Sequence, residues 1–196
     1  MRIGRTYTLP TLEAGVAPII ETVVTTINPD GSVNCGAMGV EWGAERLVIK
    51  PFQGTRTLRN LRATGAAVVN LTDDILLFSQ AALGDPRPAT RPAASVEGAL
   101  LDDACSWREV RVKAIDESTQ RARVGTVVVA GGSGREFLGF NRASHAVLEA
   151  SILASRARML DAEEVRAELD RLQVLVDKTG GPREHEAMAY VRSVVG

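Results

Sequence analysis

Lysine is nearly missing from this chain: of 23 basic residues, only Lys50, Lys113 and Lys178 are not arginine. No charge of one sign dominates. The 24 acidic residues leave a net charge of −1, so the basic excess that tracks a nucleic-acid backbone is absent and no nucleic-acid partner is expected. Two cysteines, Cys35 and Cys105, cannot build a disulfide scaffold. Together with His145 and His185 they fall at no spacing typical of a metal site, so no metal is expected. No apolar run approaches the ~20 residues of a membrane-spanning helix. Arg2 and Arg5, within Met1 to Pro10, are followed by no apolar stretch, unlike a secretory signal. These absences point to a cytoplasmic protein with reduced thiols and no membrane segment. The common catalytic templates are missing too: no GxSxG elbow, no HExxH, no P-loop, and no GxGxxG between a strand and a helix. Gly131-Gly132-Ser133-Gly134 follows a strand pattern without opening a clear helix, and reads as a flexible turn.

What is present is an ordinary globular composition: 196 residues, 45% hydrophobic and 24% charged. That length suits one domain, or one domain with a small appendage. The first half reads as β structure. Ile19 to Ile27 is rich in β-branched residues and ends in Asn28-Pro29-Asp30-Gly31, a hairpin turn signal, with Val33 to Trp42 as the partner strand. Leu47 to Ile49 extends the meander. Leu58 and Leu61 then stand at helical spacing, and Gly65 ends that short helix. Ala66 to Leu71 is a buried-strand candidate, and Thr72 or Asp73 caps a helix through Leu83. Gly84 to Ala94, with Pro86, Pro88 and Pro92, reads as a loop, either a lid or arm or simply a surface loop. Trp107 to Ile115 alternates, with Glu109, Arg111 and Lys113 toward solvent or a polar cavity and Val110 and Ala114 toward the core. Arg123 to Ala130 is the last strand.

From Asn141 the period becomes helical. Val147, Ala150, Ala154, Ala157 and Leu160 share one stripe. Asp161 with Glu164 resembles a capping box and opens a second helix carrying Val165, Leu169, Leu172 and Val176. Thr179-Gly180-Gly181-Pro182 stops it and starts a third. The pattern predicts a β-barrel-like domain to about residue 140, then three helices.

The strongest site candidate is Lys50 to Thr57, where a strand end feeds a helix start. Unpaired amides there carry partial positive charge, Gly54 permits close approach of a ligand, Thr55 and Thr57 add hydroxyls, and Lys50 and Arg56 add full charges. The arrangement fits a phosphate cradle. It equally describes a capped helix with solvated basic residues. Other residues carry paired readings. Asn70 meets a ligand edge or a turn backbone. His145 is a proton donor or an exposed helix residue, and Glu149 and Arg156 form a buried pair or an exposed face. Cys35 is a redox thiol or a small core residue, and Trp107 and Phe78 pack on a ring or in the core.

Several stretches carry a family likeness: ETVVTTINPDGSVNCGAMGVEW from Glu21, KPFQGTRTLRNL from Lys50, AAVVNLTDD from Ala66, FNRASHAVLEASILASRARML from Phe140 and LQVLVDKTGGPREHEA from Leu172. In order and spacing they resemble the DUF447 family, uncharacterised FMN-binding split-barrel proteins. The likeness covers most of residues 19 to 190. It implies an α+β, mainly β fold: a six-stranded split β-barrel over 15–140, with a three-helix subdomain over 141–196 packing on the barrel or the dimer interface. It also implies a homodimer with FMN at the subunit interface. Thr25, Thr26, Met38 and Gly39 would border the flavin ring or ribityl chain, and Lys50, Phe52, Thr55, Arg56, Thr57 and Asn60 would surround the phosphate. The implied activity is that of an oxidoreductase, with NADH or NADPH as donor, an unknown small-molecule substrate and a link to tetrahydromethanopterin-dependent one-carbon metabolism. A flavin carrier or redox sensor without turnover, and a split barrel holding a deazaflavin or a pyridoxal-type phosphate, stay open beside it.

Overall fold

The computed structural model describes residues 17–196, so the readings at Met1 to Pro10 and at the domain start at residue 15 lie outside the described residues. β1 (Ile19–Ile27) and β2 (Val33–Trp42) form the predicted hairpin. Gly31 adopts φ +81° and donates its N–H to the Asn28 carbonyl at 2.9 Å, the positive φ that the tight turn requires. The chain continues through β3 (Arg46–Ile49), α1 (Arg56–Thr64), β4 (Ala66–Leu71), α2 (Ile75–Leu83), β5 (Thr90–Pro92), β6 (Ala99–Leu101), β7 (Ser106–Asp116) and β8 (Arg123–Ser133). The helical part is α3 (Arg142–Ala154), a 3-10 turn (Ala157–Met159), α4 (Ala162–Thr179) and α5 (Pro182–Val195).

Six strands close a barrel in the order β1-β2-β3-β8-β7-β4, with β4 returning to β1 and every pairing antiparallel. The expected α+β architecture, a six-stranded barrel followed by three helices, is therefore present. Val24, Val40, Leu47, Ile49, Val69, Val110 and Val124 fill the barrel, and α1 adds Leu58 and Leu61 to the same core. A second core forms on the outer face of the β1–β2 hairpin. There Val23 and Cys35 pack against Ile75 and Phe78 of α2 and against Ala146, Val147, Leu169, Val176, Met188 and Val191 of the C-terminal helices. Continuous burial of these apolar faces joins barrel and helices.

β2 is ten residues long, yet only Val40, Glu41 and Trp42 pair with β3. Its edge from Asn34 to Gly39 has no strand beside it among the described residues. This gap in the barrel wall positions the site.

Four local expectations are corrected. Residues 84–94 are not loop throughout, because β5 pairs with β6 and the hairpin is tied to the barrel. Asn70 Oδ1 accepts from the Leu101 N–H at 3.1 Å, and the Thr25 hydroxyl donates to the Ala99 carbonyl at 2.5 Å. The alternation along β7 is interrupted by register shifts at Glu109/Val110 and Val112/Ala114. Glu109 is consequently 2% exposed, its carboxylate accepting from the N–H groups of Ala94 and Ser95, while Ala114 faces solvent. The helix from residue 142 stops at Ala154, which leaves Leu160 beyond the 3-10 turn and exposed. The cap of α2 is Asp74, whose carboxylate accepts from the Leu77 N–H at 3.1 Å, rather than Thr72 or Asp73.

Candidate functional site

After β3 the chain turns through Gly54, at φ +76° with nothing within 4 Å of where a Cβ would stand, and enters α1. Thr55 caps the helix: its hydroxyl oxygen accepts from the Leu58 N–H at 3.3 Å. The amides of Arg56 and Thr57 in the first turn have no acceptor within the helix. Both residues line a cavity of about 560 Å3, a volume within the range of small-molecule sites. One wall is the open edge of β2 from Asn34 to Gly39. Another is Lys50 to Thr57. Phe78 and Ala81 of α2 form the floor, and Ile152, Ser155, Arg156 and Met159, at and beyond the end of α3, close the remaining side with Glu21 and Arg121.

Of the predicted site residues, Met38, Gly39, Lys50, Phe52, Thr55, Arg56 and Thr57 all line this cavity. Thr25, Thr26 and Asn60 do not. All three are buried, with the Thr25 and Thr26 hydroxyls and the Asn60 amide N–H groups bonded inside the protein. The Asn60 amide donates to Thr26 Oγ1 at 3.0 Å and to Asn28 Oδ1 at 2.8 Å. Asn34 donates to both Thr26 Oγ1 and Thr57 Oγ1 at 3.1 Å. Thr25 bonds β6, as described. These groups hold the β1–β2 hairpin against α1: Thr25, Thr26 and Asn60 position the wall, and Asn34 and Thr57 also form part of it.

The charges sort into paired and unpaired. Lys50 Nζ lies 3.0 Å from Glu41 Oε1. Glu41 also receives two hydrogen bonds from Arg123, at 2.8 and 2.9 Å. Those Arg123 bonds hold its carboxyl below the usual range, with Lys50 adding to the effect against a smaller opposing cost of burial. Arg56 bonds Asp85 at 2.8 Å and thereby lowers the Asp85 pKa. Arg121 instead lies over the Phe52 ring, 4.2 Å from its centroid. Arg156 makes no ion pair among the described residues. The half-buried Glu21 has neither a hydrogen bond nor an ion pair among them. Burial, then the nearby Glu149, raises its pKa, while Arg121 and Arg156 pull the other way. Gly39 stands across from Glu21 in the sheet, and a Cβ there would meet Glu21 Oε1 at 3.1 Å and Ile19 Cγ2 at 2.5 Å. The glycine leaves room for that carboxyl.

The remaining candidates resolve by placement. Cys35 is buried on the cavity wall, and burial pushes its thiol up to about 11, so it is neutral and unreactive near pH 7. Asn70 is fully buried and donates to the Val23 carbonyl at 3.0 Å. His145 is exposed, edge-on to Phe140, and Trp107 lies under Arg91, away from the cavity. Phe78 does line it. Glu149 and Arg156 form no ion pair with each other. Sequence reasoning missed Glu21, Asn34 and Arg121 as site residues. Each sits in a different element with no local motif, so only barrel closure brings them together.

Chemically, the cavity offers anion-binding amides, hydroxyls and cations at the start of α1, together with a strip of strand backbone whose unpaired donors and acceptors suit a flat heterocycle. Among the described residues there is no cluster of three metal-ligating side chains. No nucleophile–base pair is assembled on the wall either, so a redox or group-transfer reaction here would rely on a bound cofactor.

Family models cover nearly all of the described chain. Residues 20–135 match the N-terminal domain of DUF447, a protein of unknown function, and residues 141–193 match the DUF447 C-terminal part. An FMN-bound DUF447 protein from Methanosarcina mazei superposes with a TM-score of 0.79 at 22% identity, covering 90% of this chain and 94% of its own. The flavin reductase of styrene monooxygenase from Pseudomonas putida S12 gives a TM-score of 0.51 at 18% identity, over 58% of this chain and 78% of its own. An NADH:FAD oxidoreductase from Streptomyces globisporus gives 0.51 at 12% identity, over 61% and 86%. At these identities the likeness is one of fold.

Proposed function

The chain belongs to the DUF447 family, and from that membership we propose that it is a homodimeric FMN-binding flavoprotein acting as an oxidoreductase, with its cofactor in the cavity beside α1. The observation that carries this reading is the pairing of a capped helix start with an open strand edge on one cavity of about 560 Å3. The residues fit the group. The Arg56 and Thr57 amides, the Thr55 and Thr57 hydroxyls and the Arg56 guanidinium would hold the phosphate. Met38, Gly39 and the neighbouring β2 backbone would run along the ring, and Lys50 and Phe52, expected around the phosphate, would border the ring instead, because Ile49 pairs with Val40 next to Gly39. Bound FMN would supply hydride or electron transfer at its isoalloxazine ring. The protein's own part is to orient the ring, to exclude water with Phe78 and Ile152, and to set the local field. In the same reading, 15–140 is the flavin domain and 141–196 completes its wall.

The binding named for the Methanosarcina mazei relative supports the cofactor, and the flavin reductase and NADH:FAD oxidoreductase among the structural neighbours support a nicotinamide donor. Phe137, Leu138 and Phe140 are 50%, 86% and 89% exposed, an apolar patch that supports burial against a second copy. The test is fluorescence titration of flavin-free protein with FMN and riboflavin, followed by anaerobic NADH and NADPH. The expected result is FMN binding at least about tenfold tighter than riboflavin, since only FMN has a phosphate for charge-assisted bonds at α1, and bleaching by one nicotinamide. No binding of either flavin would refute the cofactor assignment. Bound FMN that neither nicotinamide bleaches would refute the nicotinamide-driven reaction and favour a flavin carrier or sensor.

A further inference from the structure

Arg121 and Arg156 line the cavity and have no role in the cofactor assignment. Arg121 comes from the turn between β7 and β8, and Arg156 from the turn after α3. Both line the cavity together with Glu21, which lies across the sheet from Gly39. The phosphate-holding end is marked by Thr57, which contacts Asn34 and would meet a Cβ at Gly36. Gly36 and Gly39 are three residues apart on an extended strand, so the two ends are separated by about 10 Å.

The cations on this cavity divide by partner: Lys50 and Arg56 each meet a carboxylate, and Arg59 bonds the Gly54 carbonyl. Arg121 and Arg156 meet none among the described residues, although Glu21 is close enough to be influenced by both. Glu21 is pushed toward its neutral form by burial and by Glu149. Arg121 is held over Phe52, which limits the entropy it loses when a ligand arrives. Two exposed guanidiniums without a matched carboxylate, on one cavity, are poised for an anion.

We propose that Arg121 and Arg156 form an anion subsite for a second ligand, a phosphate- or carboxylate-bearing co-substrate that lies at the Gly39 end of the cavity. This rests on the FMN reading for the identity of the first ligand, but not for the presence of the arginines. The subsite draws one guanidinium from the barrel and one from the helical part, so the co-substrate meets both. Glu21 tunes it: ionised, it opposes the anion; neutral, it does not.

The experiment measures binding of NADPH, NADH and citrate by calorimetry, on both the FMN-loaded and the flavin-free protein. The variants are Arg121→Ala/Arg156→Ala, Arg156→Ala, Arg156→Lys and Glu21→Gln. At least one probe is expected to bind the parent protein. Its Kd should rise about tenfold or more in the double variant, recover in large part with lysine at 156, and fall about threefold in Glu21→Gln. The FMN Kd should change less than about threefold, within the ordinary scatter of a distant charge. A response to the nicotinamides alone assigns the anion to dinucleotide phosphates, and a response to citrate assigns it to a carboxylate. The proposal is overturned if no probe binds the parent below about 10 mM, if the double variant binds the probes as the parent does, or if FMN affinity falls in step with probe affinity. Failure of the parent to bind FMN would instead refute the cofactor reading, and the flavin-free titrations would still report on the arginines.

Discussion

Asn60→Ala separates the two roles that this residue has been given. If Asn60 touched a bound phosphate, its loss would weaken FMN and leave the empty protein alone. The structure predicts the reverse. Asn60 is 2% exposed, and its amide donates to Thr26 Oγ1 at 3.0 Å and Asn28 Oδ1 at 2.8 Å. Each such bond contributes about 1 kcal/mol net, and truncating a buried side chain adds a packing loss. Alanine returns roughly 0.5 kcal/mol through better helix propensity. Thr26 keeps its bond from Asn34, so its hydroxyl is not orphaned. The net cost is about 2 kcal/mol. For a chain of this size that lowers Tm by roughly 4–8 °C. The assay is thermal unfolding of flavin-free protein by circular dichroism, with FMN affinity measured well below the transition. A flavin-free Tm within about 2 °C of the parent, combined with FMN affinity down more than about tenfold, would refute the scaffolding role and return Asn60 to the phosphate site.

Arg56→Ala should weaken FMN by about 1.5–3 kcal/mol if its guanidinium meets the phosphate, and Asp85→Asn, which frees Arg56 from its partner, should strengthen it; equal affinities in titrations of both variants would remove Arg56 from the site. Acid stability should follow Glu41: Arg123 and Lys50 lower its folded pKa below the unfolded value of 4.5, so its stabilisation is complete above that value and is lost as pH falls through the folded pKa. Tm should therefore hold steady at pH values above 4.5 and drop below it, with a shallower drop in Glu41→Gln, and identical pH profiles would refute this source of stability. Deleting residues 142–196 should strip cover from Val23, Cys35 and Phe78 and cause aggregation, whereas a soluble truncated protein that binds FMN normally would show that the helices contribute neither core nor wall.

Where local chemistry decides the outcome, the sequence was readable. The Asn28–Gly31 turn, the stop at Gly65 and the Asp161 cap of α4 each depend on a few adjacent residues, and each appears as expected. The failures have tertiary causes. Strand alternation on β7 assumes an unbroken register, and two bulges redirect Glu109 and Ala114. The three-residue strands β5 and β6 carry too little pattern to detect, and it is Asn70 and Thr25, distant in sequence, that tie β6 to the barrel. Thr25 and Thr26 sit on the correct hairpin, but β-strand sequence does not reveal which hydroxyls a barrel will enclose. Met38, Gly39 and the Lys50–Thr57 run were legible because the strand and helix start that bear them are continuous in sequence. Arg121, Arg156 and Glu21 were not, because their proximity exists only once the barrel has closed and the C-terminal helices have docked.

The cavity's fourth wall, at residues 152–159, also sets a timetable. Synthesis runs from the N-terminus, and β8 ends at Ser133, so every barrel strand precedes Ile152, Ser155, Arg156 and Met159 on the emerging chain. The start of α1 and the open edge of β2 can therefore be in place while that side still stands open to water. α4 and α5, which bury the inner face of α3, emerge later still. A ligand that touches residues 152–159 therefore meets its last contacts only after the barrel has been made.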